Sequence, residues 1–237
     1  PRLTLAALES HLAAHGRPLA SFKRGDTVRG ATGMALASPG PRGQALASPG
    51  PRGQSLYRGY SYVLEAAPGD LPADFQPDLS PGEILMLGSF EGRYLNDCVT
   101  EFPAEWFVGA LRFGRLSPEG ADPERCNLFG IKSRQPLSVW RENGWSPSKE
   151  RAGRHDNHYH GLLGDPATNP DERGWFQWYC RYWMGRRMPT LDDVQIKRWR
   201  AFRRHAGAIK ANCGRGSLTC RPRERQALLQ WGYNPFI

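Results

Sequence analysis

Between Trp175 and Trp183 the chain reads WFQWYCRYW, so that Trp175, Phe176, Trp178, Tyr179, Tyr182 and Trp183 place six aromatic rings in nine positions. At about 100° per residue the rings point to every side of a helix, and a helix that is apolar all round belongs inside a fold. Each buried ring stabilises by roughly 1.5 to 3 kcal/mol. A chain carrying this segment is therefore expected to fold around it as a central post. The functional alternative is an exposed platform on which bases stack beside arginines. The bulk of the rings argues for the core, and Tyr179, Tyr182 and the Trp N–H groups then need buried partners.

The punctuation around this post is helical. Asn169, Pro170 and the acids Asp171 and Glu172 form a start signal, and Gly185 with Arg186 and Arg187 forms a stop. Ser80-Pro81-Gly82-Glu83 is a capping box with a first-turn proline, ahead of Ile84, Leu85 and Leu87 and a stop at Gly88. Pro103 opens a segment with Trp106, Phe107, Ala110 and Leu111 at helical spacing, and Pro136 opens another that ends at Gly144. After Pro189-Thr190 the pattern predicts one helix from Asp192 to Lys210, on the order of 28 Å long. Its apolar face is Trp199, Phe202, Ala206 and Ile209, opposite Lys197, Arg200 and Arg204. A last helix opens at Pro222 and stops at Gly232. The best strand candidate is Tyr57 to Leu64. The fold class expected is mainly α, a compact bundle of short helices around an aromatic-rich central helix, with an irregular or weakly extended N-terminal part.

Residues 35–44, ALASPGPRGQ, are repeated without change at 45–54. Such a Pro/Gly-rich duplication has no apolar face to bury and reads as a linker. Residues 1–54 are thus expected to be a flexible extension, and their Arg-, Ala- and Ser-rich start has the composition of a transit segment. Residues 55–237 are expected to be a single helical domain.

The formal charge of +9 is unevenly spread. Residues 1–54 carry seven bases and two acids, residues 55–170 eleven and sixteen, and residues 171–237 fourteen and five. The C-terminal block thus equals the whole excess, and a basic block implies an anionic partner or an acidic face within the fold. Arg186, Arg187, Lys197, Arg200, Arg204, Arg221, Arg223 and Arg225 are the candidate anion- or nucleic-acid-binding residues. Arg221, Arg223 and Arg225 crowd a helix start, where positive charge is unfavourable, which hints at a nearby anion.

Five cysteines without a secretory signal argue for separate reduced thiols in an intracellular compartment, with organelle and nucleus both open. Cys213 and Cys220 are spaced more widely than a zinc knuckle usually has them, and a loop that brings them together leaves zinc and a conditional disulfide as alternatives to separate thiols. His155, His158 and His160 are weak metal candidates, since they lie among Gly, Arg and Pro with nothing to orient the rings. No GxSxG, HExxH, Walker or dinucleotide pattern occurs, so no cofactor is expected and no catalytic residue stands out beyond His205 and the Asp192/Asp193 pair. The longest apolar runs are too short for a helical membrane span.

The segments FQPDLSPGEILMLGSFEGRYLNDC, EFPAEWF, QPLSVWRENGW, DERGWFQWYCRYWMGRR, QIKRWRAFRRH and CRPRERQALLQW resemble a domain family of uncharacterised proteins in microbial eukaryotes. The resemblance spans Phe75 to Tyr233 and implies a domain, with no activity attached. The chain departs from that pattern by an insertion at about 148–168, which holds the His cluster. Three functions remain: a nucleic-acid-binding module, a protein-interaction or scaffold domain that docks an acidic protein, and an enzyme of unknown reaction.

Overall fold

A computed structural model describes residues 5–30, 60–94, 98–116, 123–133, 135–152 and 160–237. The helices are α1 (Leu5–His15), α2 (Pro81–Leu87), α3 (Ala104–Arg112), α4 (Pro123–Cys126), α5 (Leu137–Glu142), α6 (His160–Gly164), α7 (Trp175–Trp183), α8 (Pro189–Phe202), α9 (Arg204–Asn212) and α10 (Pro222–Gln230). Strands β1 (Thr27–Arg29) and β2 (Ser61–Val63) pair antiparallel, with Val28 opposite Tyr62.

Helix α7 is the post that its sequence predicts. Every residue from Trp175 to Tyr182 is buried, and only Trp183 reaches the periphery. Three of its polar ring atoms have partners: Trp178 Nε1 donates to Asp192 at 2.8 Å, Trp175 Nε1 to the Gln195 carbonyl at 3.3 Å, and Tyr179 Oη to the Leu79 carbonyl at 2.8 Å. Phe75 presses its ring against the post, edge to face with Trp178, Tyr179, Tyr182 and Trp199 at 4.9–5.6 Å. This geometry sets the positive ring edge against the negative ring face.

Two start signals behave as the sequence implies, and one does not. Ser80 and Glu83 close the capping box of α2, with Glu83 Oε2 accepting from Ser80 N at 2.7 Å. Pro103 precedes α3, whose Trp106, Phe107 and Ala110 are buried. By contrast, α7 starts at Trp175, not beside Asn169. Asn169 Oδ1 accepts from Asp171 N, a two-residue side-chain turn, and Gly174 at φ 75° turns the chain into the helix. Asp171 is drawn inward by two arginines instead of complementing a helix dipole. At the other end Gly185, φ 109°, turns the chain, and its carbonyl accepts from Glu65 N and Ala66 N.

The single long helix expected from Asp192 to Lys210 is two. Arg203 N donates to the Arg200 carbonyl and Ala206 N to the Arg203 carbonyl, both i→i−3 bonds, so the spiral tightens at Arg203 and separates α8 from α9. The break lets α9 pack on α10.

Residues 5–30 are part of the fold, which corrects a domain start at residue 55. Leu12, Phe22 and Val28 are buried in the common core, Arg17 accepts from Ala104 N through its carbonyl, and Arg112 pairs with Glu9 at 2.7 Å. Helix α1 packs on α3, with Leu12 buried. The duplicated decapeptide lies outside the described residues. Of the expected insertion, α6 is described; Leu163 is buried and the Gly164 carbonyl accepts from Ser148 N.

Candidate functional site

The eight arginines and lysines singled out by sequence are sorted by the fold into three groups. Arg186 and Arg225 are inside. Arg186 is 2% exposed and grips Asp171 with both ends of its guanidinium, at 2.8 and 2.6 Å. Asp171 also accepts from Arg181 Nη1 at 2.8 Å, and Arg181 in turn holds Glu101 at 2.6 Å. The four charges sum to zero. Tyr60 and Tyr62, at the β2 edge, cover the network, with the Arg181 guanidinium 4.9 Å from the Tyr60 ring centre. Burial pulls the Arg181 and Arg186 guanidiniums down, but the carboxylates outweigh it and raise both above the ordinary value. Burial pushes the Asp171 carboxyl up, yet Arg186 and Arg181 hold it below its usual range. Asp171 and the two guanidiniums are therefore charged, and the network ties α7 and its flanking turns to the turn before α3.

Arg225 is also no anion site. It is fully buried on α10 and donates to the carbonyls of Cys220, Ser217, Pro235 and Ile237 at 2.7–3.0 Å. Four carbonyl dipoles thus answer the charge that the sequence assigned to an external anion. Glu224 answers the rest of the crowded start by pairing with Arg221 at 2.8 Å.

Arg187, Lys197 and Arg200 form the second group with Arg221. Arg187 donates to the carbonyls of Tyr182, Arg186 and Asp70 and lies 4.2 Å over the Tyr182 ring. Lys197 pairs with Asp193 and Arg200 with Asp74, each at 2.6 Å and each in solvent. Exposed pairs of this kind contribute only about 0–1 kcal/mol.

Arg204 and Arg223 remain. Both are exposed, and so are Arg203, Lys210 and Arg215; among the described residues none of the five has an ion-pair partner. They sit on α9, on the following loop and on the first turn of α10. The signal that finds them is the absence of acids: from Arg203 to Arg223 the sequence holds six bases and no Asp or Glu. On one continuous helix Arg203 and Lys210 fall outside the face of Lys197, Arg200 and Arg204, and Arg215 lies beyond the helix end.

The loop between α9 and α10 is closed by a disulfide between Cys213 and Cys220, Cα atoms 5.8 Å apart. This corrects the expectation of separate thiols for that pair. Turns at Gly214–Ser217 and Ser217–Cys220 bring the two residues together. Cys98, Cys126 and Cys180 are buried outside that disulfide, and burial pushes the Cys180 thiol well up, away from reactivity.

The catalytic candidates separate. Asp192 accepts from Trp178 Nε1 and Met188 N and closes the start of α8; burial raises its carboxyl. Asp193 faces solvent with Lys197. His205 stands on α9, against Phe202. His155 and His158 lie outside the described residues, His160 begins α6, and no cluster of metal-ligating side chains occurs among the described residues. A groove of about 510 Å³ between α1 and α3 is lined by Leu12, Ala13, Val108 and Gly109, with Glu9 and Arg112 at its rim.

Fold and site together define a mainly helical, aromatic-cored structure with exposed bases on and between its last two helices. No family model, curated protein or solved structure matches the chain.

Proposed function

We propose that the chain is a nucleic-acid-binding module that contacts phosphates through α9, the disulfide loop and the first turn of α10. The supporting observation is the set Arg203, Arg204, Lys210, Arg215 and Arg223, exposed and unpaired among the described residues. Bases already satisfied inside a fold must be torn from their partners to meet a phosphate. These five need lose only water and counterions. If all five reach phosphates, the affinity falls with salt at a logarithmic slope of about −4.5 on duplex or about −3.5 on single strands. Titration of labelled oligonucleotides from low to high salt tests this. The R204E/R215E/R223E variant is expected to lose most of the affinity at low salt, whereas R187A is expected to retain it. No binding by the wild-type chain at low salt refutes the reading.

A second reading is favoured by Leu218, which is 42% exposed in the middle of the basic loop. An apolar side chain there suits a partner protein whose acidic rim meets the same bases. In that case L218S weakens docking to the partner and leaves oligonucleotide binding unchanged.

A further inference from the structure

The core does not stop at the aromatic post. From Tyr179 the rings run outward in one column: Tyr179 on Trp175 at 5.1 Å and 28°, Trp175 on Trp231 at 4.5 Å and 24°, and Trp231 on Phe202 at 4.5 Å and 6°. The last step sets His205 on Phe202, 4.3 Å and 37° apart. Tyr179 and Trp175 are buried, while Trp231, Phe202 and His205 are half-buried. The column therefore begins inside the molecule and ends at its surface, at the junction of α8 and α9.

The surface where it ends is the basic one. Arg203 and Arg204 adjoin His205 in the chain, and both are exposed. A buried column needs no cationic rim, and a basic patch needs no ring. Their coincidence fits a ligand with planar aromatic units strung on a phosphate backbone. Base stacking on a protein ring needs a base whose face is free, which duplex DNA lacks and a single strand offers. The inner rings hold Phe202 and His205 in place beforehand, so little side-chain freedom is lost when a base arrives. Burial, followed by the neighbouring Arg204, lowers the His205 imidazole below its ordinary value, so the terminal ring is uncharged at neutral pH.

We propose that His205, backed by Phe202, is a base-stacking residue for single-stranded nucleic acid, with the adjoining phosphates held by Arg203 and Arg204. The inference rests on the reading of the basic face as a nucleic-acid surface and adds the strandedness and the residue that selects it.

The test compares oligothymidylate of about 12 nucleotides with an abasic phosphodiester of the same length, which keeps the charge and lacks the rings. Anisotropy at low salt is expected to give at least about fivefold tighter binding of the thymidylate to the wild-type chain. The preference is expected to vanish in H205A and persist in H205F, with both variants matching the wild type in near-ultraviolet circular dichroism. R204A is expected to weaken both oligonucleotides alike. Equal wild-type affinities for the two probes, or a preference that survives in H205A, overturn the stacking role while leaving the basic face intact. Failure of both probes to bind at low salt overturns both readings.

Discussion

Asp171 and Arg186 face each other in a forked, two-bond pair, with Asp171 Oδ1 accepting from Arg186 Nη1 and Oδ2 from Nη2. The pair joins the turn before α7 to the segment after it, so it brackets the aromatic helix at both ends. Arg181, on the helix itself, shares Asp171 and passes the linkage on to Glu101.

Removing that carboxylate leaves two buried guanidiniums short of a counter-charge. D171N is expected to lose about 3–5 kcal/mol, read as a lowered urea midpoint. The pH dependence has a defined sign. Because the two arginines hold the folded carboxyl below 3.8, the unfolded chain takes up the proton first as pH falls. The stability from this group is complete above about pH 5 and is lost as the pH drops through the unfolded value toward the folded one. Urea midpoints measured between about pH 3 and pH 6 should therefore fall less steeply in D171N than in the wild type.

Gly185 allows no side chain. A Cβ there would collide with the Ala66 backbone, and φ is 109°, a conformation that L residues rarely adopt. G185A is expected to cost at least about 2 kcal/mol. Thermal unfolding followed by circular dichroism reads it; an unchanged midpoint would contradict the close approach of residues 65 and 66.

Arg223 and Arg225 are two positions apart and are expected to respond in opposite ways. R225A empties a buried site and strands four carbonyls, so unfolding should become easier by several kcal/mol, of the order of 3. R223A should change stability by less than about 0.5 kcal/mol. Its effect belongs to oligonucleotide affinity, where loss of one phosphate contact should flatten the salt slope by just under about one unit.

The Cys213–Cys220 crosslink closes a short loop with a sequence separation of 7. On the chain-entropy account its reduction should lower stability by about 2.5 kcal/mol. Melting with and without dithiothreitol measures this, and C213S/C220S should melt like the reduced wild type. An equal melting temperature in both conditions would place the loop outside the cooperative unit.

The mainly helical architecture was legible because its signals are local. Six rings in nine positions, the Ser80–Glu83 box and the prolines at 103, 136, 189 and 222 each act within one turn of helix. The candidate site was only partly legible, because whether an arginine meets solvent depends on partners far along the chain. Arg181 finds Glu101 80 residues away, and Arg200 finds Asp74 126 residues away. Nothing near Arg186 in sequence announces that it is buried. The break at Arg203 was hidden for another reason: the apolar positions run on through it in helical register, so periodicity alone draws one helix.

At the other end of the chain, Gly30 N donates to the Tyr60 carbonyl at 2.8 Å, directly beyond the β1–β2 pair. Gly30 and Tyr60, which flank the duplicated decapeptide in sequence, are therefore held together by one backbone hydrogen bond. Doubling the length of an excursion closed in this way costs only about 0.6 kcal/mol, if it has no structure of its own. Because the Gly30–Tyr60 bond and the β1–β2 register already hold the two ends, closure itself places little demand on how many residues lie between them.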